Sequence, residues 1–283
     1  MREPGSSRGV WARVRPQQGN LRLWQVGMVL VFFLLWHVLT VPGILPHLYF
    51  DDDTKAAFFF GEPLKVLSRV WQWFSTGEIF EHLWVTLWET LLAFVIGTVS
   101  GLVIGLWLAL NPVASALCDP YIKALNAMPR VILAPIFSVW FGLDIASKVA
   151  LGVTLVFFIV FFNVYQGVRE VSPTVLANAR ILGANPKQLL RHVYVPSAMS
   201  WVFASLHNSV GLAFVGAVVG EYLGSSRGVG YLILQAEGTF DINTVFAGIL
   251  VLTAFALVLD SIVTLVEKRL MVWQPRQGET ERI

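Results

Sequence analysis

Long apolar runs recur along the whole of this sequence. A helix needs about 20 residues, at 1.5 Å each, to cross the roughly 30 Å of hydrocarbon in a bilayer. Six segments meet or approach that length: residues 23–41, 83–110, 120–141, 147–165, 195–222 and 245–266. A soluble chain of 283 residues can hide one core, but not this many apolar stretches. The charged fraction agrees: 13% Asp, Glu, Lys and Arg, against about 25% in soluble domains. The expected fold class is therefore all-α, a polytopic membrane protein of about six transmembrane helices. The second and fifth runs exceed the minimum and have room to tilt or protrude. The third is the weakest, because Lys123, Asn126 and Arg130 interrupt its first half.

The distribution of basic residues sets the orientation. If residues 1–22 are a cytoplasmic N-terminal segment, that side collects fifteen of the twenty lysines and arginines. They are Arg2, Arg8, Arg13, Arg15, Arg22, Lys123, Arg130, Arg169, Arg180, Lys187, Arg191, Lys268, Arg269, Arg276 and Arg282. The far side keeps Lys55, Lys65, Arg69, Lys148 and Arg227, together with the acidic run Asp51-Asp52-Asp53. Six spans over residues 23–270, with a cytoplasmic tail at 271–283, are consistent with both ends inside. A cleaved signal peptide would also place arginines before an apolar run. However, the first run ends in Val41-Pro42-Gly43 rather than in a small-x-small cleavage site, so it is expected to remain as a membrane helix. A net charge of +2 does not point to nucleic acid, and Cys118, the sole cysteine, permits no internal disulfide.

Between the first two runs, Leu64, Leu67, Val70, Trp71 and Phe74 fall at helical spacing among Lys65, Ser68, Arg69 and Gln72. That pattern predicts an amphipathic helix lying on the outer membrane surface. The loop at 169–196 is more informative. Ser172-Pro173 reads as an N-cap followed by proline at the first helical position. Val175, Leu176, Ala179 and Leu182 share one face, and Gly183 stands where a left-handed C-cap belongs. A second start comes directly after it: Asn185 caps, Pro186 opens, Gln188 completes a capping box, and Pro196 is expected to end the helix. The prediction is two short helices bent at Gly183-Ala184, with Leu189, Leu190 and Val193 on the second apolar face. With Arg180, Lys187 and Arg191 as a basic rim, such a knob suits either a groove on a partner protein or an anionic lipid surface.

These residues carry a resemblance. Ala177-Asn178-Ala179-Arg180-Ile181-Leu182-Gly183-Ala184, with Leu190, Val193 and Pro196 beyond, resembles the EAA loop of binding-protein-dependent ABC transporter permeases. Met128-Pro129-Arg130-Val131-Ile132-Leu133-Ala134-Pro135 and Val139-Trp140-Phe141-Gly142 look like the third helix of the branch that imports nitrate, sulfonates and taurine. Gly220-Glu221-Tyr222-Leu223-Gly224 and Gly228-Val229-Gly230-Tyr231-Leu232-Ile233 are similar to the end of that branch's fifth helix and the loop after it. The likeness runs from about residue 63 to residue 270. It departs at Ala177 and Asn178, which replace the glutamate and first alanine of the pattern, and at Glu89, where the branch carries a basic residue.

The resemblance implies a type I ABC importer permease in a bacterial cytoplasmic (inner) membrane. Its partners would be an ABC ATPase dimer, a second permease subunit, a periplasmic or lipid-anchored substrate-binding protein, and membrane lipid. Its solute would be a small anion of the sulfonate, nitrate, bicarbonate or carboxylate class. By carry-over, Ala179, Arg180, Gly183, Ala184, Lys187 and Leu190 belong to the loop that couples to the ATPase. No catalytic residue and no cofactor are expected in the chain itself; ATP and Mg would be bound by the partner, since no Gly-x-x-x-x-Gly-Lys-Ser/Thr phosphate loop is present.

Polar groups within spans are candidates for a translocation path, because unpaired charge in hydrocarbon is costly. They are Arg130, Asn163, His207, Asn208 and Glu221. Each has a plainer alternative: Arg130 snorkels to headgroups, His207 and Asn208 bond a neighbouring helix, Asn163 is ambiguous, and Glu221 latches a gate or faces water. Gly97, Gly101 and Gly105 at four-residue spacing, and Gly211, Gly216 and Gly220 later, predict close helix packing. No His, Cys and carboxylate grouping has metal-site spacing, and His37 is expected to be a satisfied or interfacial histidine rather than a metal ligand. A self-sufficient secondary transporter would instead show charged relays or paired broken helices.

Overall fold

The structure is a computed structural model that describes residues 21–42 and 52–270. Arg2, Arg8, Arg13, Arg15 and Asp51, and the tail with Arg276 and Arg282, lie outside the described residues. The described residues fall into two compact units, one ending at Arg69 and the other beginning at Val70. In the first, α1 (Leu21–Thr40) leaves Leu23, Met28, Phe32 and Leu35 exposed. A short helix that the sequence did not announce, α2 (Asp53–Phe60), starts at Asp52. The Asp52 carboxylate accepts the Thr54 amide N–H at 2.9 Å, which holds its carboxyl below the usual range. The Trp36 indole N–H donates to the Phe60 carbonyl at 3.1 Å and ties α1 to α2. The amphipathic helix is present as α3 (Pro63–Thr76), with Leu64, Leu67, Trp71 and Phe74 exposed along it.

The second unit is built on α4 (Glu78–Leu110), α7 (Ile145–Arg169) and α10 (Val195–Leu223). Val156, Val160, Val164 and Val168 recur every fourth residue on α7 and meet Ala93, Ala198, Val202 and Ala213 in a core of small side chains. The glycine stripe on α4 explains the closeness. A Cβ at Gly97 would lie 2.6 Å from the Val156 Cβ, and one at Gly101 would lie 2.8 Å from the Phe157 carbonyl oxygen. Gly216 and Gly220 pack on α7 in the same way, but Gly211 has open space beside it and is not a packing position. At 33 residues, α4 is about 50 Å long at 1.5 Å per residue and overshoots the hydrocarbon.

Among the described residues, four helices are long and apolar enough to cross a membrane, and six spans result if two bent pairs each count as one. The third expected span is not continuous. It consists of α5 (Pro112–Ala127), a 3₁₀ turn at Arg130–Ile132 and α6 (Leu133–Phe141), bent by 78°. Pro129 has no N–H to continue the ladder and pushes Met128 out of helical conformation, to φ −71° and ψ 134°. The fifth span bends by 55° between Phe203 and Ser205, where the Ser205 hydroxyl bonds back to the Val202 carbonyl at 2.9 Å. After α10 come α11 (Val229–Gly238) and α12 (Ile242–Leu270).

Candidate functional site

The loop between α7 and α10 projects as a knob. Its first helix, α8 (Pro173–Ile181), begins after Ser172, whose side chain makes no capping hydrogen bond; the expected N-cap is a matter of position only. The far end closes as a Schellman motif. Gly183 takes φ +82°, its N–H bonds the Arg180 carbonyl at 2.9 Å, and the Ala184 N–H bonds the Ala179 carbonyl at 3.0 Å. The capping box then forms as expected: the Gln188 N–H donates to Asn185 Oδ1 at 2.9 Å, and the Asn185 N–H donates to Gln188 Oε1 at 2.8 Å.

The second helix of the knob departs from expectation beyond its cap. The α9 helix (Pro186–Leu189) lasts one turn and runs through a π turn at Leu190–Tyr194 into α10. Pro196 therefore sits in the first turn of α10 and does not end a helix. The widened turn relieves the clash of its ring with the carbonyl four residues back. At the tip, Ile181 is 83% and Leu182 86% exposed. Arg180, Lys187 and Arg191 of the same loop are exposed as well. Ala179 and Ala184 are half-buried, Gly183 and Leu190 are exposed, and Leu189 is buried. The result is an apolar tip on a capped bend, in a loop that also carries three exposed cations.

The polar residues expected within the spans sit on different elements. Arg130 lies in the break between α5 and α6. Its Nη2 donates to the Asn126 carbonyl at 3.1 Å and to Asn126 Oδ1, and its guanidinium carbon is 4.6 Å from the Phe158 ring centroid. Its Nε is buried without a hydrogen-bond partner. Asn163 donates to the Ile159 carbonyl of its own helix at 2.7 Å. Asn208 is exposed. His207 ties α10 to α12, with Nε2 3.0 Å from Asp260 Oδ1 and Nδ1 3.1 Å from Glu267 Oε2. Beside it a cleft of about 270 Å³ runs between Phe214, Thr253, Leu257 and Asp260.

Glu221 is at the other end of α10 and fully buried. It accepts Thr86 Oγ1–H at 2.6 Å through Oε1 and the Gly230 N–H at 2.7 Å through Oε2. Two more charged residues are buried with it, and sequence reasoning missed both as a site. Lys148, expected in an outer loop, is fully buried at the start of α7. Its ammonium donates to the Asp144 carbonyl at 3.0 Å and to the Leu143 carbonyl, while its stem lies on Gly220. Glu89 is 1% exposed. The signal was available: His82, Thr86 and Glu89 are spaced to share one helix face within an apolar run.

The comparisons with known proteins accord with this architecture. Residues 101–272 match the family model of the binding-protein-dependent transport system inner membrane component. A Bacillus subtilis permease named for aliphatic sulfonates transport is 31% identical over 92% of this chain and 92% of its own length. A Chloroflexus aurantiacus permease of a riboflavin transport system is 35% identical over 77% of this chain and 81% of its own. Among solved structures, an inward-facing methionine ABC transporter covers 68% of this chain and 94% of its own at TM-score 0.55. At 18% identity that likeness concerns the fold alone. The chain belongs to the binding-protein-dependent inner membrane component family: a multi-pass, non-enzymatic, cofactor-free permease of an ABC importer, served by a separate ATPase and a solute-binding protein.

Proposed function

We propose that this chain pairs with a second permease subunit in a bacterial inner membrane to carry a small organic anion, of the sulfonate class, into the cytoplasm. The knob at 172–194 seats in the ATPase, so its end of the bundle is cytoplasmic, in keeping with the bias of lysine and arginine along the sequence. The observation that carries the coupling role is the exposed Ile181-Leu182 tip on its Schellman bend. Two large aliphatic side chains held out by a rigid turn suit a protein cleft, where a few buried residues supply most of the binding energy. Ala179, Gly183 and Ala184 shape the bend, while Arg180, Lys187 and Leu190 rim the contact. Closure of the ATPase dimer then moves the knob as a lever, and the spans rock between two states.

Arg130 favours an anionic cargo. Non-helical backbone at membrane depth is tolerated where it is covered by protein or lines a wet cavity. The break between α5 and α6 puts a guanidinium without a carboxylate partner at such a place. His207, Asn208 and Asn163 belong to the same path reading as secondary contributors. A second cargo reading rests on the relative named for riboflavin transport, which favours an uncharged heteroaromatic solute. The test is ATPase activity of the reconstituted complex, with binding protein, against a panel holding alkanesulfonates and flavins. Alkanesulfonates are expected to stimulate it. Leu182→Asp is expected to lower coupled ATPase activity about tenfold or more, the scale of a hot-spot loss. Full activity after deletion of 172–194 would refute the coupling role.

A further inference from the structure

The buried charges around Glu221 form a fastening between α4, α10 and the start of α11. Three successive backbone amides at the start of α11 are taken by side chains of α4 and α10. The Gly228 N–H donates to His82 Nδ1 at 3.1 Å, the Val229 N–H to Thr86 Oγ1 at 3.3 Å, and the Gly230 N–H to Glu221 Oε2 at 2.7 Å. Gly228, at φ +102°, lies flat on the carboxylate: a Cβ there would be 2.2 Å from Glu221 Cδ. Arg227 adds an exposed ion pair to Glu81 at 3.0 Å. Separating α4, α10 and α11 at this end of the bundle breaks all of these contacts at once.

Glu89 stands one turn along α4 from Thr86, with its carboxyl facing that of Glu221 and Lys148 the nearest cation to both. Lys148 also has Asp144 beside it and spends its hydrogen bonds on backbone carbonyls. An ionised carboxylate only accepts hydrogen bonds, so two of them in contact need a proton between them. Glu89 Oε2 has no partner. That is tolerable for the carbonyl oxygen of a neutral acid and costly for half a negative charge in an apolar span.

We propose that Glu89 carries a proton and donates it as a hydrogen bond to the Glu221 carboxylate, so that Glu221, anchored by Thr86, Gly230 and Glu89, is the positioning residue that pins the start of α11 to α4 and keeps the outer gate shut. The outer placement of this gate rests on the orientation proposed for the knob; the shared proton does not.

Two readouts on the full complex with ATPase and binding protein separate these parts. The first is infrared spectroscopy of the carboxylic acid C=O stretch. A buried acid band is expected in the wild type and absent in Glu89→Gln, whatever the orientation; its persistence in that variant overturns the proton assignment. The second is ATPase activity in lipid discs with and without binding protein. Glu221→Gln and Glu89→Ala are expected to raise binding-protein-independent activity about fivefold or more, while Glu89→Gln, which still donates, keeps the wild-type ratio. Should Glu221→Gln fail to fold, Thr86→Val removes an anchor of similar shape and is read the same way. Lower thermal stability with an unchanged ratio in both Glu221→Gln and Thr86→Val would reduce the fastening to a structural one and overturn the gate.

Discussion

Arg130 shows how much one residue depends on its backbone. In an unbroken helix it would be a costly guanidinium in an apolar run. At the break made by Pro129 it can reach Asn126 and lie over Phe158 while its Nε stays unpartnered. Its planar charge is the feature a transported anion would use, and lysine is a poor geometric substitute. Arg130→Gln is therefore expected to cut anion transport about tenfold, the scale of a lost charge-assisted hydrogen bond, with Arg130→Lys in between. Uptake of labelled solute by proteoliposomes checks it, and knob-driven ATPase coupling should be spared. A simple snorkelling role predicts equal transport by Arg130→Lys and the wild type. Glu221 teaches the reverse lesson: a carboxylate considered for a path is buried and committed to Thr86 and Gly230.

At the scale of elements, close packing of α4 on α7 organises the second unit. The valines of α7 can approach α4 only where its glycines leave room, and the interior of such a bundle has no space for an added methyl. Gly97→Val would drive a Cβ to 2.6 Å from that of Val156, so it is expected to cost about 1–3 kcal/mol. Gly211→Ala, with nothing within 4 Å, is the matched control and should be near neutral. Thermal unfolding of the two variants in detergent is the measurement, and equal melting temperatures would contradict the packing account. The knob is the other informative element. Its bend and capping box were readable as local chemistry, because Gly183, Asn185 and Gln188 satisfy backbone groups within a few residues of themselves. The continuation through Pro196 was not, because it depends on a π turn that α10 absorbs.

For the whole molecule, the consequential question is which end faces the cytoplasm. Cys118 is the sole cysteine, so a Cys118→Ser background is free of thiols. In that background, Arg227→Cys is expected to react with a membrane-impermeant maleimide from outside intact cells, and Arg180→Cys only in inverted vesicles. The opposite pattern would overturn both the coupling role of the knob and the placing of the gate, while leaving the shared proton between Glu89 and Glu221 standing.

The order of the spans, the amphipathic α3, the glycine stripe of α4 and the capped bend were all determined by the sequence itself. Each depends on the period of apolar residues or on hydrogen bonds made a few positions away. Tertiary structure alone decided that Lys148 leaves the surface for the interior and that Glu89 and Glu221 share one buried site. Those outcomes depend on which residues meet across 59 to 135 positions of chain. Periodicity along a helix says which face is apolar, but it does not say which partner's charge will be waiting on the other side.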